Sequence, residues 1–237
     1  LEEVMAVLTS DDKRPRLAVG EELTRVLALA HRARRPVLLE GVTGIGKSEI
    51  VAGVAKKLEI RLQILDLSLL EPPDLVGLPF REQGCTVYAP PSVLPRDGQG
   101  ILMLEELNRA ERYIRQPALQ LLSARSLHEY TLPDGWSVFA AINPEGQDYE
   151  VSALDPALRA RFCAFRVHAD RREWLRWAKR ASVHPAVLHV ARTHDRFVET
   201  VPPRTWKYVS DMLHAATDAE RQDHVLLETV MNGYLPA

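Results

Sequence analysis

The octapeptide G-V-T-G-I-G-K-S occupies residues 41–48, between an apolar run at residues 36–39 and a helix-like segment that begins at Glu49. It fits the pattern G-x-x-x-x-G-K-[ST], which binds phosphate groups when it connects a buried strand to a helix. Glycines let the backbone curl so that successive N–H groups face inward, and the helix N-terminus adds its positive dipole end. Lys47 would then reach the β- and γ-phosphates of a triphosphate, and the Ser48 hydroxyl would coordinate Mg²⁺. The alternative is a glycine-rich turn that contains a lysine without binding phosphate. This alternative requires that the eight-residue pattern, the strand before it and the helix after it occur together by chance.

The predicted ligands are therefore a nucleoside triphosphate and Mg²⁺. The predicted nucleotide-binding residues are those of the loop and the first helical residue after it: Gly41, Val42, Thr43, Gly44, Ile45, Gly46, Lys47, Ser48 and Glu49.

Length and composition indicate an ordinary globular protein. The 237 residues suit one large domain or one with a smaller satellite, and the apolar fraction of 46% can build a sizeable core. The net charge of −2 gives no general attraction to nucleic acid or to an acidic membrane. No apolar run is long enough to span a membrane and no basic-then-apolar leader is present, so we expect a soluble, cytoplasmic protein. Because the chain opens on Leu1, we expect it to be a piece of something longer.

The two cysteines, Cys85 and Cys163, lack metal-type spacing, so neither a disulfide framework nor a zinc site is expected.

Apolar periodicity predicts alternating strands and helices in the first part of the chain. Helices are predicted at 1–8, 21–34, 49–58, 114–124 and 154–158, strands at 36–39, 62–66, 101–104, 138–142 and 163–167, a proline-rich insertion with a small hairpin at about 69–98, and an exposed hairpin around 132–135. Only helices follow, at 171–180, 185–198, 203–214 and 219–231, where Trp174 and Trp177 are expected in the core of a small bundle. This predicts an α/β domain over 1–168 with a parallel sheet, and an all-α satellite over 169–237.

Polar residues follow two of the predicted strands. Glu105 and Glu106 come directly after the apolar run 101–104, at the carboxyl edge of the sheet, where open α/β sheets bind ligands. One carboxylate can orient the Mg²⁺ shell while its neighbour accepts a proton from an attacking water. Asn143 ends another strand, where its amide could hold the water or the γ-phosphate. The alternatives are a solvated turn for the acid pair and a turn-forming asparagine before Pro144.

The order of motifs along the chain resembles the AAA+ ATPases of MoxR type. After the phosphate loop come L-M-L-E-E-L-N-R-A (102–110), A-I-N-P (141–144), L-D-P-A-L-R-A-R-F (154–162) and P-P-R-T-W-K-Y-V-S-D-M-L (202–213). The resemblance covers nearly the whole chain from about Val19 onward. It implies a P-loop NTPase (AAA+) sandwich around a parallel sheet, followed by a small all-α lid, with ATP or ADP and Mg²⁺ as the ligands.

The same resemblance assigns roles to individual side chains. It implies that Glu106 is the catalytic glutamate, Asn143 the first sensor and Arg204 a second sensor contributed by the lid. Arg161, or else Arg159 on the same short segment, is implied as the arginine finger presented to the next subunit. One residue departs from the family pattern: Glu105 stands where these proteins usually carry Asp, and its longer side chain must either push the Mg²⁺ shell or rotate away.

The function expected by resemblance is that of an ATP-hydrolysing homo-oligomeric ring, usually a hexamer, that remodels or activates a partner protein. A von Willebrand factor A-domain protein is the partner expected by analogy. The alternative is a nucleotide-gated binding module or scaffold with little hydrolysis, which the Glu105 departure favours. A nucleic-acid-directed motor is a third and weaker hypothesis, since no aromatic–basic interleaving or reader motif accompanies the arginines of 159–180.

Overall fold

The computed structural model describes residues 16–144, 154 and 159–234. The predicted helices at 1–8 and 154–158 therefore lie outside the described residues, apart from Leu154.

A six-stranded parallel sheet forms the centre of the first part of the chain. Its strands are β1 (Arg16–Ala18), β2 (Val37–Glu40), β3 (Arg61–Asp66), β6 (Gln99–Glu105), β9 (Gly135–Ile142) and β10 (Cys163–His168). Their order across the sheet is β1-β10-β2-β9-β6-β3. Every neighbouring pair is parallel, so the carboxyl ends of all six strands lie along one edge. The α/β fold class with a parallel sheet is confirmed.

Helices cover both faces of the sheet: α1 (Glu21–Arg32), α2 (Lys47–Lys57) and α4 (Arg112–Ala124). Successive strand residues point to opposite faces, so Val37 and Leu39 join one apolar cluster and Leu38 joins the other. All three are fully buried. Burial of both faces explains why this strand appears in the sequence as a continuous apolar run.

The proline-rich insertion contains the short helix α3 (Pro72–Val76) and a hairpin of β4 (Leu78–Glu82) and β5 (Cys85–Ala89). The expected small hairpin in this region is confirmed. Cys85 and Cys163 are both free thiols on the surface of the described part of the chain.

The second predicted hairpin is misplaced. Its strands are β7 (Ser126–Leu127) and β8 (Tyr130–Thr131), so the turn lies at residues 128–129 and not around 132–135. Leu132 is only 1% exposed because it packs with Leu127 and Tyr130 in the core. Residues 132–134 instead connect this hairpin to β9, which begins at Gly135.

The C-terminal part consists of α5 (Arg171–Arg180), α6 (Pro185–Thr193), α7 (Phe197–Thr200), α8 (Pro203–Ala215), α9 (Asp218–Gln222) and α10 (His224–Tyr234). Trp174, 6% exposed, packs in its core against Phe197 with ring centroids 4.7 Å apart, and Trp177 is partly buried against the same cluster. None of the helices in the part of the chain that the structure describes is long and apolar enough to cross a membrane.

Two predicted helices are divided in the structure, and one strand was missed. The helix predicted over 185–198 is interrupted after Thr193, where the backbone of His194 is extended and the guanidinium of Arg171 donates to the carbonyls of Arg192 and His194. The helix predicted over 219–231 is two helices, since the carboxylate of Asp223 accepts the N–H of Leu226 and starts α10. Strand β1 was not predicted, because three residues carry too little periodicity.

Candidate nucleotide-binding site

The sheet topology places the ends of β2, β9 and β6 side by side. The phosphate loop follows β2, Asn143 follows β9, and Glu105 is the last residue of β6. The residues that sequence reasoning selected at strand ends therefore meet at one edge of the sheet.

The loop backbone has the conformation that a phosphate cradle requires. Gly44 and Gly46 have φ angles of 77° and 99°, in the left-handed region that favours glycine. Gly46 is the N-cap residue of α2, and within the described residues no side chain caps it. The N–H groups of the first helical turn are thus directed at whatever lies in the loop, as at anion sites on helix N-termini.

The ammonium group of Lys47 crosses this cradle. Nζ donates hydrogen bonds to the carbonyl of Gly41, to the carbonyl of Val42 at 3.1 Å and to Oδ1 of Asn143 at 3.1 Å. Burial lowers the pKa of Lys47 to about 8 from its usual 10.5; Glu106 and Glu105 raise this pKa, and Arg204 lowers it. A polyphosphate beside the ammonium would compensate the burial and favour the charged form.

The Ser48 hydroxyl donates a hydrogen bond to Oε1 of Glu105. The longer side chain of glutamate, compared with aspartate, thus reaches the hydroxyl directly. Carboxylate and hydroxyl oxygens suit Mg²⁺, which is commonly held by one or two protein carboxylates together with substrate phosphates and water. Residues 16–144, 154 and 159–234 contain no cluster of three or more His, Cys, Asp or Glu side chains that could hold a metal. A metal here would take its remaining ligands from phosphate and water.

Glu106 and Asn143 form a second pair, since Nδ2 of Asn143 donates to Oε2 of Glu106 at 2.8 Å. Glu106 has a φ angle of 55°, so the backbone turns sharply after β6 and directs its carboxylate differently from that of Glu105. Nη1 of Arg109 lies 3.7 Å from the same Oε2. The Asn143 amide therefore lies between the lysine of the loop and a candidate general base.

Asn108 supports Asn143 from behind and was not selected from the sequence. Its Nδ2 donates to the Asn143 carbonyl at 2.8 Å, and its Oδ1 accepts the Asn143 N–H at 3.3 Å. The two residues are 2% and 1% exposed. The signal that could have identified Asn108 is its place in the run E-L-N-R-A, directly after the acid pair.

The C-terminal helices contact the loop at the start of α8. The backbone N–H of Arg204 donates to the carbonyl of Gly44 at 3.0 Å. Arg204 also lines a small cavity together with Lys47, Ser48, Glu105 and Glu106. This arginine is therefore brought to the phosphate loop from a distant part of the chain.

A larger cleft of about 1060 Å³ adjoins the loop, between the α/β part and helices α5 and α8. Gly44, Gly46, Ser48 and Glu49 line it, and so do Val19 and Gly20, which sequence reasoning missed. A Cβ on Gly46 would lie 3.6 Å from Cγ1 of Val19, so these residues stand directly beside the loop. The cleft can accommodate the base and ribose of a nucleotide whose phosphates lie in the loop.

The remaining predicted residues have different surroundings. Thr43 lines the small cavity, Val42 is 47% exposed, and Ile45 is 5% exposed and packs into the apolar core. The described residues that line the small cavity do not include Arg159 or Arg161. Nη1 of Arg159 lies 3.1 Å from Oε2 of Glu40, while Arg161 is exposed. All predicted polar site residues except these two arginines thus lie around the phosphate loop.

Comparison with known proteins agrees with this geometry. The family model of the AAA domain, dynein-related subfamily, matches residues 36–162. Protein MoxR of Methylorubrum extorquens is 30% identical over 152 residues, which are 61% of this chain and 44% of MoxR, so the chain spans less than half the length of that relative. The predicted resemblance to MoxR-type AAA+ ATPases is confirmed.

Solved structures share the fold. NtrX of Brucella abortus in complex with ADP has a TM-score of 0.57 and 14% identity, over 100% of this chain and 56% of NtrX. A putative ATPase from Cytophaga hutchinsonii has a TM-score of 0.54 and 20% identity, over 88% of this chain and 66% of that one. A point mutant of RuvB from Thermotoga maritima has a TM-score of 0.54 and 17% identity, over 90% of this chain and 69% of RuvB.

Proposed function

Because the chain belongs to the AAA domain family, in its dynein-related subfamily, we propose that it hydrolyses ATP to ADP and phosphate and uses this reaction to remodel or activate a partner protein. The observation that carries the proposal is the hydrogen-bonded row formed by Lys47, Asn143 and Glu106 beside the phosphate loop. This row supports the proposal because a cation, an amide and a candidate base could then act on one polyanion bound in the loop.

In this proposal the triphosphate lies in the loop, against the N–H groups at the start of α2. Lys47 binds the β- and γ-phosphates, and the phosphate charge keeps its ammonium protonated. Mg²⁺, held by Ser48 and Glu105, would neutralise charge on the phosphate oxygens. Glu106 accepts a proton from the attacking water, and the Asn143 amide orients that water and the carboxylate.

The domain assignment is also part of the proposal. Residues 1–168 form the nucleotide-binding domain, and residues 169–237 form a helical lid that closes over the base. The contact between the Arg204 N–H and the Gly44 carbonyl supports this role, because it links the lid to the loop at the phosphate end of the cleft. Arg204 would act there as a second sensor of the nucleotide.

We further propose that the active form is a homo-oligomeric ring, by family resemblance a hexamer, with Arg161 as the finger supplied to the neighbouring site. The exposure of Arg161, compared with the 21% exposed side chain of Arg159, supports this choice. A guanidinium supplied in trans accelerates phosphoryl transfer by about 10³- to 10⁵-fold. A partner with a von Willebrand factor A domain is proposed by resemblance alone.

The test is the rate of phosphate release per subunit as a function of protein concentration. We expect a Mg²⁺-dependent rate that rises with concentration as rings assemble and that Arg161→Ala largely abolishes. Glu199→Gln, a change in the exposed pair between Arg196 and Glu199, serves as a control that leaves the rate unchanged. A rate per subunit that does not depend on concentration would contradict action in trans.

A second function is favoured by one contact, the hydrogen bond between Ser48 and Glu105. A carboxylate that already engages the metal-binding hydroxyl could slow turnover while nucleotide binding persists. The protein would then be a nucleotide-gated scaffold. Tight nucleotide binding without phosphate release, in a sample that contains oligomers, would decide for this alternative.

A further inference from the structure

Glu40 forms ion pairs that have no role in the proposed chemistry. It is the last residue of β2 and directly precedes Gly41 of the phosphate loop. Its Oε2 lies 3.1 Å from Nη1 of Arg159, and its Oε1 lies 3.8 Å from Nε of Arg166 on β10. One carboxylate thus faces two guanidinium groups, with one oxygen directed at each.

The Glu40–Arg159 pair is shielded from solvent. The side chains of Glu40 and Arg159 are 12% and 21% exposed, whereas those of Arg196 and Glu199 in a surface pair are 79% and 64% exposed. Ion pairs at the surface contribute little, because water and salt screen them and their side chains stay mobile. A shielded ion pair fixes its two side chains more firmly, because removing one charge leaves the other buried and poorly solvated.

Arg159 belongs to a short turn that also contains Arg161. The carbonyl of Arg159 accepts the N–H of Phe162 at 3.1 Å, which closes the turn. The N–H of Cys163 then donates to the carbonyl of Pro36 at 2.9 Å, where β10 begins to pair with β2. The turn is therefore anchored at both ends, through a backbone bond to Pro36, directly before β2, at one end and through the Glu40 side chain at the other.

We propose that Glu40 is a positioning residue for the arginine at the subunit seam. Through Arg159 it holds the 159–162 turn in the orientation that presents Arg161 to the nucleotide of the adjacent subunit. Arg159 acts within its own subunit, and Arg161 acts on the neighbour. This inference rests on the proposed function, because it explains how the proposed arginine finger, Arg161, is positioned.

Glu40→Gln is the direct test, since it removes the charge and keeps the shape. We expect ADP affinity to stay unchanged and phosphate release per subunit to fall about tenfold or more, because a misplaced finger loses part of its rate effect. Arg159→Gln should behave in the same way, whereas Arg159→Lys, which keeps the positive charge, should retain more of the activity. Glu199→Gln is the matched control.

Mixing of variant subunits separates positioning from a merely structural role. A Glu40→Gln subunit keeps its own Glu106, so it should regain activity when a Glu106→Gln neighbour supplies a well-placed Arg161. The mixture should therefore exceed the summed rates of the two separate variants. If Glu40 acts on its own phosphate loop, the mixture will show no gain, and that result overturns the inference.

A mixture of Arg161→Ala and Glu106→Gln controls for the finger itself. If phosphate release exceeds the summed rates in this control but not in the Glu40→Gln mixture, only the inference about Glu40 is rejected. A wild-type protein without phosphate release rejects the proposed function instead. If Glu40→Gln does not fold, as judged by its thermal transition, Arg159→Gln replaces it in the mixture with the same expected gain.

Discussion

The ammonium of Lys47 donates a hydrogen bond of 3.1 Å to the side-chain oxygen of Asn143, across 96 positions of sequence. This bond joins the phosphate loop after β2 to the end of the neighbouring strand β9. The amide of the same asparagine reaches Glu106 at 2.8 Å. The side chain of Asn143 thus contacts both the lysine of the phosphate loop and the candidate base.

Lys47→Met should weaken nucleotide binding. The variant removes charge-assisted hydrogen bonds to phosphate, and one such bond contributes about 1.5–3 kcal/mol, equivalent to about 10- to 150-fold in affinity. Titration of the protein with ADP or a slowly hydrolysed ATP analogue measures the change. Arg196→Met, at a side chain that is 79% exposed in a surface pair with Glu199, is the control and should bind normally. Equal affinities of wild type and Lys47→Met would place the phosphates elsewhere.

Nucleotide affinity should depend on pH through Lys47. In the free protein burial holds the pKa of Lys47 at about 8, and phosphate contact raises this pKa in the complex. Binding therefore takes up a proton above pH 8, so the affinity is complete below this pH and falls by up to about tenfold per pH unit above it. Lys47→Arg, which stays charged throughout, should flatten the profile. Parallel profiles for wild type and Lys47→Arg would contradict this explanation.

Asn108→Ala should destabilise the fold and slow catalysis. It removes both partners of the Asn143 backbone in a site that is almost fully buried. Unsatisfied buried groups cost about 1–3 kcal/mol, which denaturant unfolding can measure. Because Asn143 then loses its support, kcat should fall more than nucleotide affinity. The exposed residue Asn232 offers the control Asn232→Ala, which should alter neither quantity.

Glu105→Asp should change the Mg²⁺ requirement and leave nucleotide affinity largely intact. The shorter side chain withdraws the carboxylate from the Ser48 hydroxyl and leaves more room for the ion's water shell. We expect half-maximal activity at a lower Mg²⁺ concentration in Glu105→Asp and at a higher one in Glu105→Ala. If all three proteins have the same Mg²⁺ dependence, Glu105 has no part in metal binding.

Much of this arrangement could be predicted from the sequence, because residues at the carboxyl ends of parallel strands must meet. Glu105 and Asn143 follow apolar runs, so their places at the sheet edge follow from the strands alone. The hairpin before β9 was misplaced because P-D-G at residues 133–135 is a strong turn signal. Leu132, buried in the core, prevents those residues from forming the exposed hairpin tip.

Contacts between distant side chains could not be predicted in the same way. Glu40 follows an apolar strand and gives no sign of its pairing with Arg159, since that contact depends on the register of β10 with β2. Likewise, Oε2 of Glu173 on α5 accepts the N–H of Glu21 at 3.1 Å, which follows from how α5 lies against the start of α1. Local periodicity carries no information about that orientation.

The central claim is that Lys47, Asn143 and Glu106 surround one hydrolysable nucleotide. Phosphate release by wild type and Glu106→Gln, at saturating ATP and Mg²⁺ and at a concentration where oligomers are present, tests it most directly. The account predicts steady release by wild type, and a Glu106→Gln protein that binds ATP with undiminished affinity but releases almost no phosphate. Equal release by the two proteins would contradict it.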